Sequence, residues 1–327
     1  MHPPILQIDN LSKTFHDWEH LRFKPIPVLK GISLEVQRGE IFGFLGPNGA
    51  GKTTTIKTLM GIIRPTSGTA RILGHDLVEH SREVKKRTGF LPENPYFYDY
   101  LTVGEFVEFC GALFGLDRAL RRRRSAELLE MVGMTRAAGL PLRKCSKGML
   151  QRTGIAQSLV NDPDFLVWDE PVSGLDPIGR KEIKDLMLDL RRRGKTIFFS
   201  SHILPDAEAL CDRVAIIING EVDTIGTLPE LMKDAVSWVE IVAENLKENF
   251  KYREAGVENV GKQTIVKIKD SRYLDNILKV IIEKKGRIIS VTPQRENLEN
   301  YFARQVKASG RNTDKTAGPS PGSEREG

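Results

Sequence analysis

Gly46-Pro47-Asn48-Gly49-Ala50-Gly51-Lys52-Thr53 lies between a short apolar run, Ile41 to Leu45, and a stretch from Thr54 to Met60 that reads as a helix. Strand, glycine-rich turn and helix, with Lys-Thr where the turn ends, is the pattern of a loop that wraps phosphates. Glycines let the backbone curl so that several N–H groups converge on phosphate oxygens, and the helix N-terminus adds partial positive charge. Lys52 supplies a point charge, the Thr53 hydroxyl can ligate Mg²⁺, and Thr54 follows in the same site. This stretch predicts binding of a nucleoside triphosphate.

Bulk properties bound the rest. A chain of 327 residues, 40% apolar and 28% charged, is sized for one large domain and a small one. No apolar run approaches the twenty residues that a membrane span needs, and Met1-His2-Pro3-Pro4 opens no signal peptide. Cys110, Cys145 and Cys211 are odd in number and far apart, which argues against a disulfide framework or a metal knuckle and suits a reducing cytosol. The net charge of +6 permits contact with anionic lipid or nucleic acid without demanding either. Arg118, Arg121 to Arg124 and Arg191 to Arg193 read as the solvated ends of helices rather than a phosphate-facing patch.

Along the chain, Ile5 to Ile8 and Val28 to Val36 read as strands, with a polar, proline-bearing loop from His16 to Pro27 between them. His16 and His20 bracket Asp17 and Glu19 in that loop, but no further ligand stands nearby to complete a metal site. Ala70 to Gly74 and Gly89 to Pro92 are further short strands. Thr102-Val103-Gly104-Glu105 is a capping box that opens a helical insert running to Val160. Strands and helices then alternate: Phe165 to Trp168, Ile178 to Arg193, Thr196 to Ser200, Leu204 to Cys211, Arg213 to Ile218. Alternation of this kind predicts a mostly parallel sheet with helices on both faces.

Beyond Met232 the rhythm changes. Ser237 to Val242, Thr264 to Ile268 and Ile288 to Val291 read as strands, Leu274 to Lys285 and Leu298 to Val306 as helices. Residues 236–307 thus form a small α+β domain, and the Ser/Gly/Pro/Lys-rich residues 308–327 a disordered tail.

Four more constellations carry chemistry. Phe165-Leu166-Val167-Trp168 ends in Asp169-Glu170: one carboxylate for a Mg²⁺ shell and one to polarise water. Neighbouring residues on a strand point to opposite faces, so the turn through Pro171 is expected to bring both toward the nucleotide. Cys145-Ser146-Lys147-Gly148-Met149-Leu150-Gln151-Arg152 places a hydroxyl and a glycine before a helix, either a second anion cradle or an ordinary N-cap. Ser173-Gly174-Leu175-Asp176 is a turn just past Glu170. Ser200-Ser201-His202 puts a histidine at a strand end, where it is structural or orients water on a γ-phosphate.

In chain order, phosphate loop, serine-glycine helix cap, apolar strand with Asp-Glu, Ser-Gly-Leu-Asp and Ser-His, the five motifs resemble the nucleotide-binding subunit of ABC transporters, over residues 1–232. The resemblance implies a P-loop NTPase cassette: a mostly parallel core sheet, antiparallel N-terminal strands and a helical subdomain at about 95–162, with the small α+β domain following. It implies that Gly46 to Thr53 is the Walker A loop, Asp169 the Walker B aspartate and Glu170 the catalytic glutamate. By the same likeness Ser146 and Gly148 belong to the signature motif, Asp176 to the D-loop, His202 is the switch histidine, and Phe15 stacks on adenine. Glu93, in Leu91-Pro92-Glu93-Asn94, stands where the family has glutamine and still offers Mg²⁺ or water an oxygen. The implied cofactors are ATP and Mg²⁺, with Thr53, Asp169 and Glu93 toward the metal.

The resemblance further implies a dimer that sandwiches two ATPs, each between one copy's Walker A and the other's signature, so that an isolated monomer binds ATP but hydrolyses it poorly. The Pro-Glu and Ser-Lys-Gly-Met variants resemble the branch that energises ABC-2-type permeases, mostly exporters. The partner is then a separate transmembrane permease, held at the cytoplasmic face of the membrane, with Tyr96-Phe97-Tyr98 turned toward it. No nucleic acid is expected. Soluble ATPases of this superfamily that act on DNA carry a long coiled coil between Walker A and signature, and those that act on ribosomes carry a second phosphate loop. This sequence has neither.

Overall fold

The computed structural model describes residues 3–19, 22–231, 238–246, 250–253, 255–261 and 263–294. It divides into two compact units, Met1–Leu228 and Pro229–Gly327.

The first unit is built on a six-stranded sheet in the order β10-β9-β3-β8-β7-β6. Its strands are β3 (Ile41–Leu45), β6 (Thr88–Leu91), β7 (Phe165–Asp169), β8 (Thr196–Ser201), β9 (Arg213–Ile218) and β10 (Glu221–Thr227). All neighbours pair in parallel except β10 with β9. The apolar runs are continuous because every residue of β3, β7 and β8 is buried, as a sheet covered on both faces requires. The period of two then sorts these residues into two cores. Phe42, Phe44, Phe165, Val167 and Phe198 face one way, with Ile56 and Leu59 of α1 (Lys52–Leu59). Ile41, Leu166, Trp168, Ile197 and Phe199 face the other, with Ile155 of α5 (Lys147–Ser158) and Met187 of α6 (Pro177–Arg192).

An antiparallel sheet of β1 (Leu6–Glu19), β2 (Arg22–Val36), β4 (Ser67–Ile72) and β5 (His75–Asp76), in the order β2-β1-β4-β5, closes the first core. Here the structure corrects the expected loop from His16 to Pro27. Its described residues, 16–19 and 22–27, continue the two strands, with Phe15 opposite Ile26 and His16 opposite Pro25. The prolines mislead because they break central strands, whereas β2 is an edge strand, where a residue without an N–H is tolerated. No group of three or more metal-ligating side chains occurs among the described residues.

After α2 (Ser81–Lys86) and β6, helices α3 (Val103–Leu113), α4 (Arg118–Met131) and α5 form the helical insert. The capping box is present. Glu105 N–H donates to Thr102 Oγ1 at 3.2 Å, and Thr102 N–H to Glu105 Oε2 at 2.9 Å. The arginine runs are tied down more than solvation alone requires: Arg124 pairs with Asp162, Arg193 with Asp189, and Arg191 with Asp212. The three cysteines are free thiols, and burial pushes Cys110 up to about 12. The unit ends with α7 (Leu204–Leu210), β9 and β10. Strand β10 escapes the sequence reading because Glu221 to Thr227 alternates little and is only partly buried.

A short helix α8 (Leu228–Leu231) stands where the second unit begins. That unit is an antiparallel sheet in the order β12-β13-β11-β14, from β11 (Trp238–Glu244), β12 (Ala255–Val260), β13 (Gln263–Ile268) and β14 (Arg287–Gln294). Ile277 and Ile281 of α9 (Leu274–Glu283) pack on Ile241, Val266 and Ile268. The helix expected at Leu298 to Val306 and the expected disordered tail lie outside the described residues. Among the described residues no helix is long and apolar enough to cross a membrane.

One close approach fixes how the helical insert meets the sheet. A Cβ on Gly89 of β6 would stand 2.0 Å from the Ser158 carbonyl at the end of α5. Gly89→Ala is therefore expected to lower unfolding stability by about 1–3 kcal/mol, measured by urea denaturation, because helix or strand must move.

Candidate nucleotide site

Strands β3, β7 and β8 run in parallel, and their carboxyl ends deliver the chemistry together. Leu45 stands beside Ser201, and Asp169 beside Ser200. Ligands of open α/β sheets bind outside these strand ends. A cleft of about 500 Å³ opens there, lined by Pro47, Asn48, Gly49, Gly51, Lys52, Thr53, Thr54, Glu93, Glu170 and His202, with Val28 from β2.

The turn is shaped for an anion. Gly51 precedes α1 at φ 109°, a left-handed conformation that a side chain would strain, and no side chain caps the helix. Nor does α1 carry an acid in its first turn, so its leading N–H groups keep their positive field. Gly46 and Ala50 frame the loop from below. Gly46 N–H reaches Ser201 O at 3.4 Å, and Ala50 N–H reaches Pro47 O at 3.2 Å.

Lys52 lies across this turn, buried, with its ammonium on Gly46 O at 2.8 Å and Pro47 O at 3.2 Å. Its ammonium also faces Glu170 Oε1 at 3.6 Å, and both side chains are 7% exposed. Burial pushes the Lys52 pKa down, while the Glu170 carboxylate, then Asp169 and Glu93, pull it back.

Asp169 ends β7 fully buried and accepts a 2.5 Å hydrogen bond from Ser200 Oγ. The same Ser200 oxygen accepts the Glu170 N–H at 2.9 Å. Glu170 itself adopts φ 51°, the left-handed region, at a cost of about 1–3 kcal/mol for a residue with a side chain. The turn expected at Pro171 is thus made one residue earlier, by Glu170's own backbone, and both acids are presented at the strand end. Glu170 Oε1 meets His202 Nδ1 at 2.9 Å, while Oε2 is buried with no partner among the described residues. A carboxylate held by a lysine and a histidine, with one oxygen left over, is chemically able to take a proton from a nearby water.

The remaining expected residues lie elsewhere. Ser146 caps α5, its Oγ accepting Met149 N–H at 3.3 Å. Asp176 caps α6, its Oδ1 accepting Gly179 N–H at 2.9 Å. Gly148 lies against Leu175 of the same turn, so the two caps adjoin each other but neither lines the cleft around Lys52. Phe15, on β1, is 38% exposed with the Lys13 ammonium 5.0 Å above its ring, and it too stays off the cleft lining. Residues 29–173 match the ABC transporter family model. An ABC transporter ATP-binding protein of Nostoc sp. is 41% identical over 315 residues, 93% of this chain and 90% of its own.

This chain belongs to the ABC transporter ATP-binding proteins.

Other relatives agree with that assignment. The bacitracin transport ATP-binding protein of Bacillus licheniformis is 35% identical, covering 84% of this chain and 91% of its own. Among solved structures, a dimeric ATP-binding cassette in a post-hydrolysis state with ADP and Pi superposes with a TM-score of 0.63. It is 27% identical and covers 68% of this chain and 98% of its own. The protein is an ATP-hydrolysing subunit of this family, and its α/β fold is the cassette fold. Two contributors to the site stand inside motifs that give them no role, Ser200 ahead of His202 and Gln151 behind Ser146. Ser200 joins the two acids, and Gln151 reaches Pro171 O at 3.0 Å from α5. Register along β7 and β8 could have found Ser200, which stands opposite Asp169.

The lowered Lys52 pKa has a thermodynamic sign. The unfolded chain keeps this proton up to the ordinary 10.5, the folded chain releases it earlier, so the unfolded state binds more protons in between. Unfolding free energy is therefore expected to rise with pH in that window. The rise should be absent from Lys52→Met, and parallel denaturant titrations of the two proteins between neutral and alkaline pH check it.

Proposed function

We propose that this subunit closes with a second cassette around two ATPs, hydrolyses them with Glu170 as the base, and thereby drives a separate permease, an exporter of the ABC-2 type. The observation that carries the reading is the meeting of Lys52, Glu170 and His202 at the mouth of the phosphate loop. Phosphate oxygens bind along the Gly46–Thr54 turn and the N-terminus of α1, and Lys52 leaves Glu170 for the β/γ-phosphates. Glu170 then takes a proton from water while the water oxygen bonds to the γ-phosphorus and the bond to the β–γ bridging oxygen breaks. His202 holds the carboxylate in place through Oε1. Mg²⁺, when bound, neutralises charge on the phosphates, and Thr53, Asp169 and Glu93 form an oxygen donor set that suits such a hard cation. The adjoining caps carrying Ser146, Gly148 and Asp176, away from Lys52, fit a role at the other copy's nucleotide. Phe15, on the exposed face of β1, is the candidate for the adenine.

Two relatives are named for export, a Nod factor export ATP-binding protein at 38% identity and a fluoroquinolones export ATP-binding protein at 40%. The permease is assigned to an exposed aromatic surface. Tyr96 and Tyr100 are 89% and 67% exposed, and Tyr98 stacks edge-on to Phe109 at 5.6 Å. Phe97, grouped with them in sequence, instead turns inward onto Phe106 at 5.0 Å. A patch of this kind supports a protein partner, and a permease seated on it would hold the subunit at the cytoplasmic face of the membrane.

Glu170→Gln is expected to lower ATP turnover at least about 100-fold with ATP binding retained, measured on the chain purified with its permease. An unmodified rate would falsify the assignment of the base. The double variant Tyr96→Ser/Tyr100→Ser should keep its melting temperature yet lose co-purification with the permease. Full recovery of the complex would remove this surface from the interface.

A further inference from the structure

A residue held in the left-handed region needs surroundings that keep it there. If Glu170 relaxed to negative φ, its Cβ would swing and carry the carboxylate away from Lys52 and His202. The holding groups sit on both sides of it. On the amino side, Ser200 Oγ of β8 accepts the Glu170 N–H at 2.9 Å. On the carboxyl side, Gln151 Nε2 donates to Pro171 O at 3.0 Å and, more weakly, to Glu170 O at 3.4 Å. Ser173 N–H also reaches Glu170 O, at 3.0 Å. Gln151 is 3% exposed, so water does not compete for these carbonyls. It stands on α5, the helix capped by Ser146, whereas Ser200 belongs to the core sheet.

We infer that Gln151 is a positioning residue for the hydrolytic reaction: its amide locks the left-handed turn that aims Glu170 into the nucleotide cleft. The inference rests on Glu170 being the base. It also gives α5 two duties, since the helix that presents Ser146 at its tip steadies its own copy's base a turn and a half later.

The test is a double-mutant cycle in steady-state ATPase assays of the full chain. Gln151→Leu keeps the side-chain size and removes the donor. It is expected to lower kcat about tenfold while the KM for ATP stays within about twofold, as loss of orientation rather than of binding predicts. In a Glu170→Gln background the same substitution should change the residual rate less than about twofold, because there is no base left to aim. A kcat for Gln151→Leu equal to that of the parent overturns the inference, and so does a tenfold loss in both backgrounds. If Glu170→Gln itself keeps the parent rate, the reading of the base falls and the positioning role with it. Gln151→Glu gives a readout that does not depend on the leucine variant folding. Its protonated carboxyl can donate to the same carbonyls and its ionised form repels them, so its kcat relative to the parent should rise as pH falls from about 8.5 to about 6.5. A flat ratio across that range overturns the proposal.

Discussion

An ammonium and a carboxylate, each almost shut off from water, face one another 3.6 Å apart where three parallel strands end. Neither could be buried alone, since an isolated charge in such a place would neutralise itself or unfold its surroundings. Each is therefore given other partners: backbone carbonyls for Lys52, the His202 ring for Glu170. Much of the first unit serves that pair. The sheet order puts β3, β7 and β8 side by side, so that the phosphate loop, the two acids and the serine–histidine pair emerge at one edge. The burial of every residue in those strands fixes the edge rigidly.

The pair is also a poised state. Lys52 faces the Glu170 carboxylate, and an ammonium is also a group that phosphates attract. On the function proposed above, a triphosphate would compete for that ammonium and release Glu170 to act as the base. The strained backbone at Glu170 belongs to the same design, since it sets the direction in which the carboxylate points once released.

Much of this was legible in the sequence because it depends on local chemistry. The phosphate loop, the apolar strand ending in Asp169-Glu170, the capping box at Thr102 and the alternation of strands and helices each follow from neighbouring residues. What was not legible depends on contacts between distant segments. Pro25 and Pro27 argued for a loop because nothing nearby says that β2 lies at an edge. Phe97 read like its tyrosine neighbours until α3 supplied Phe106 to pack on. Gln151 stands in the stretch from Cys145 to Arg152, but nothing there gave it a role, since its partner at Pro171 is twenty residues away in the chain. Glu170's left-handed backbone was likewise invisible, because glutamate does not advertise a positive φ as glycine does.

The antiparallel pair of β1 and β2 has a bearing on how the chain behaves in a crowded solution. Strand β2 spans Arg22–Val36 at the border of its sheet. Gly220 O already takes the Lys30 N–H at 2.8 Å, and the border ahead of that point is a template on which a stranger's strand can zip, the first step toward insoluble assemblies. Pro25 and Pro27 take two donors out of that template, and Lys24 adds a charge beside them. The same residues that disguised the strand guard it against unwanted company.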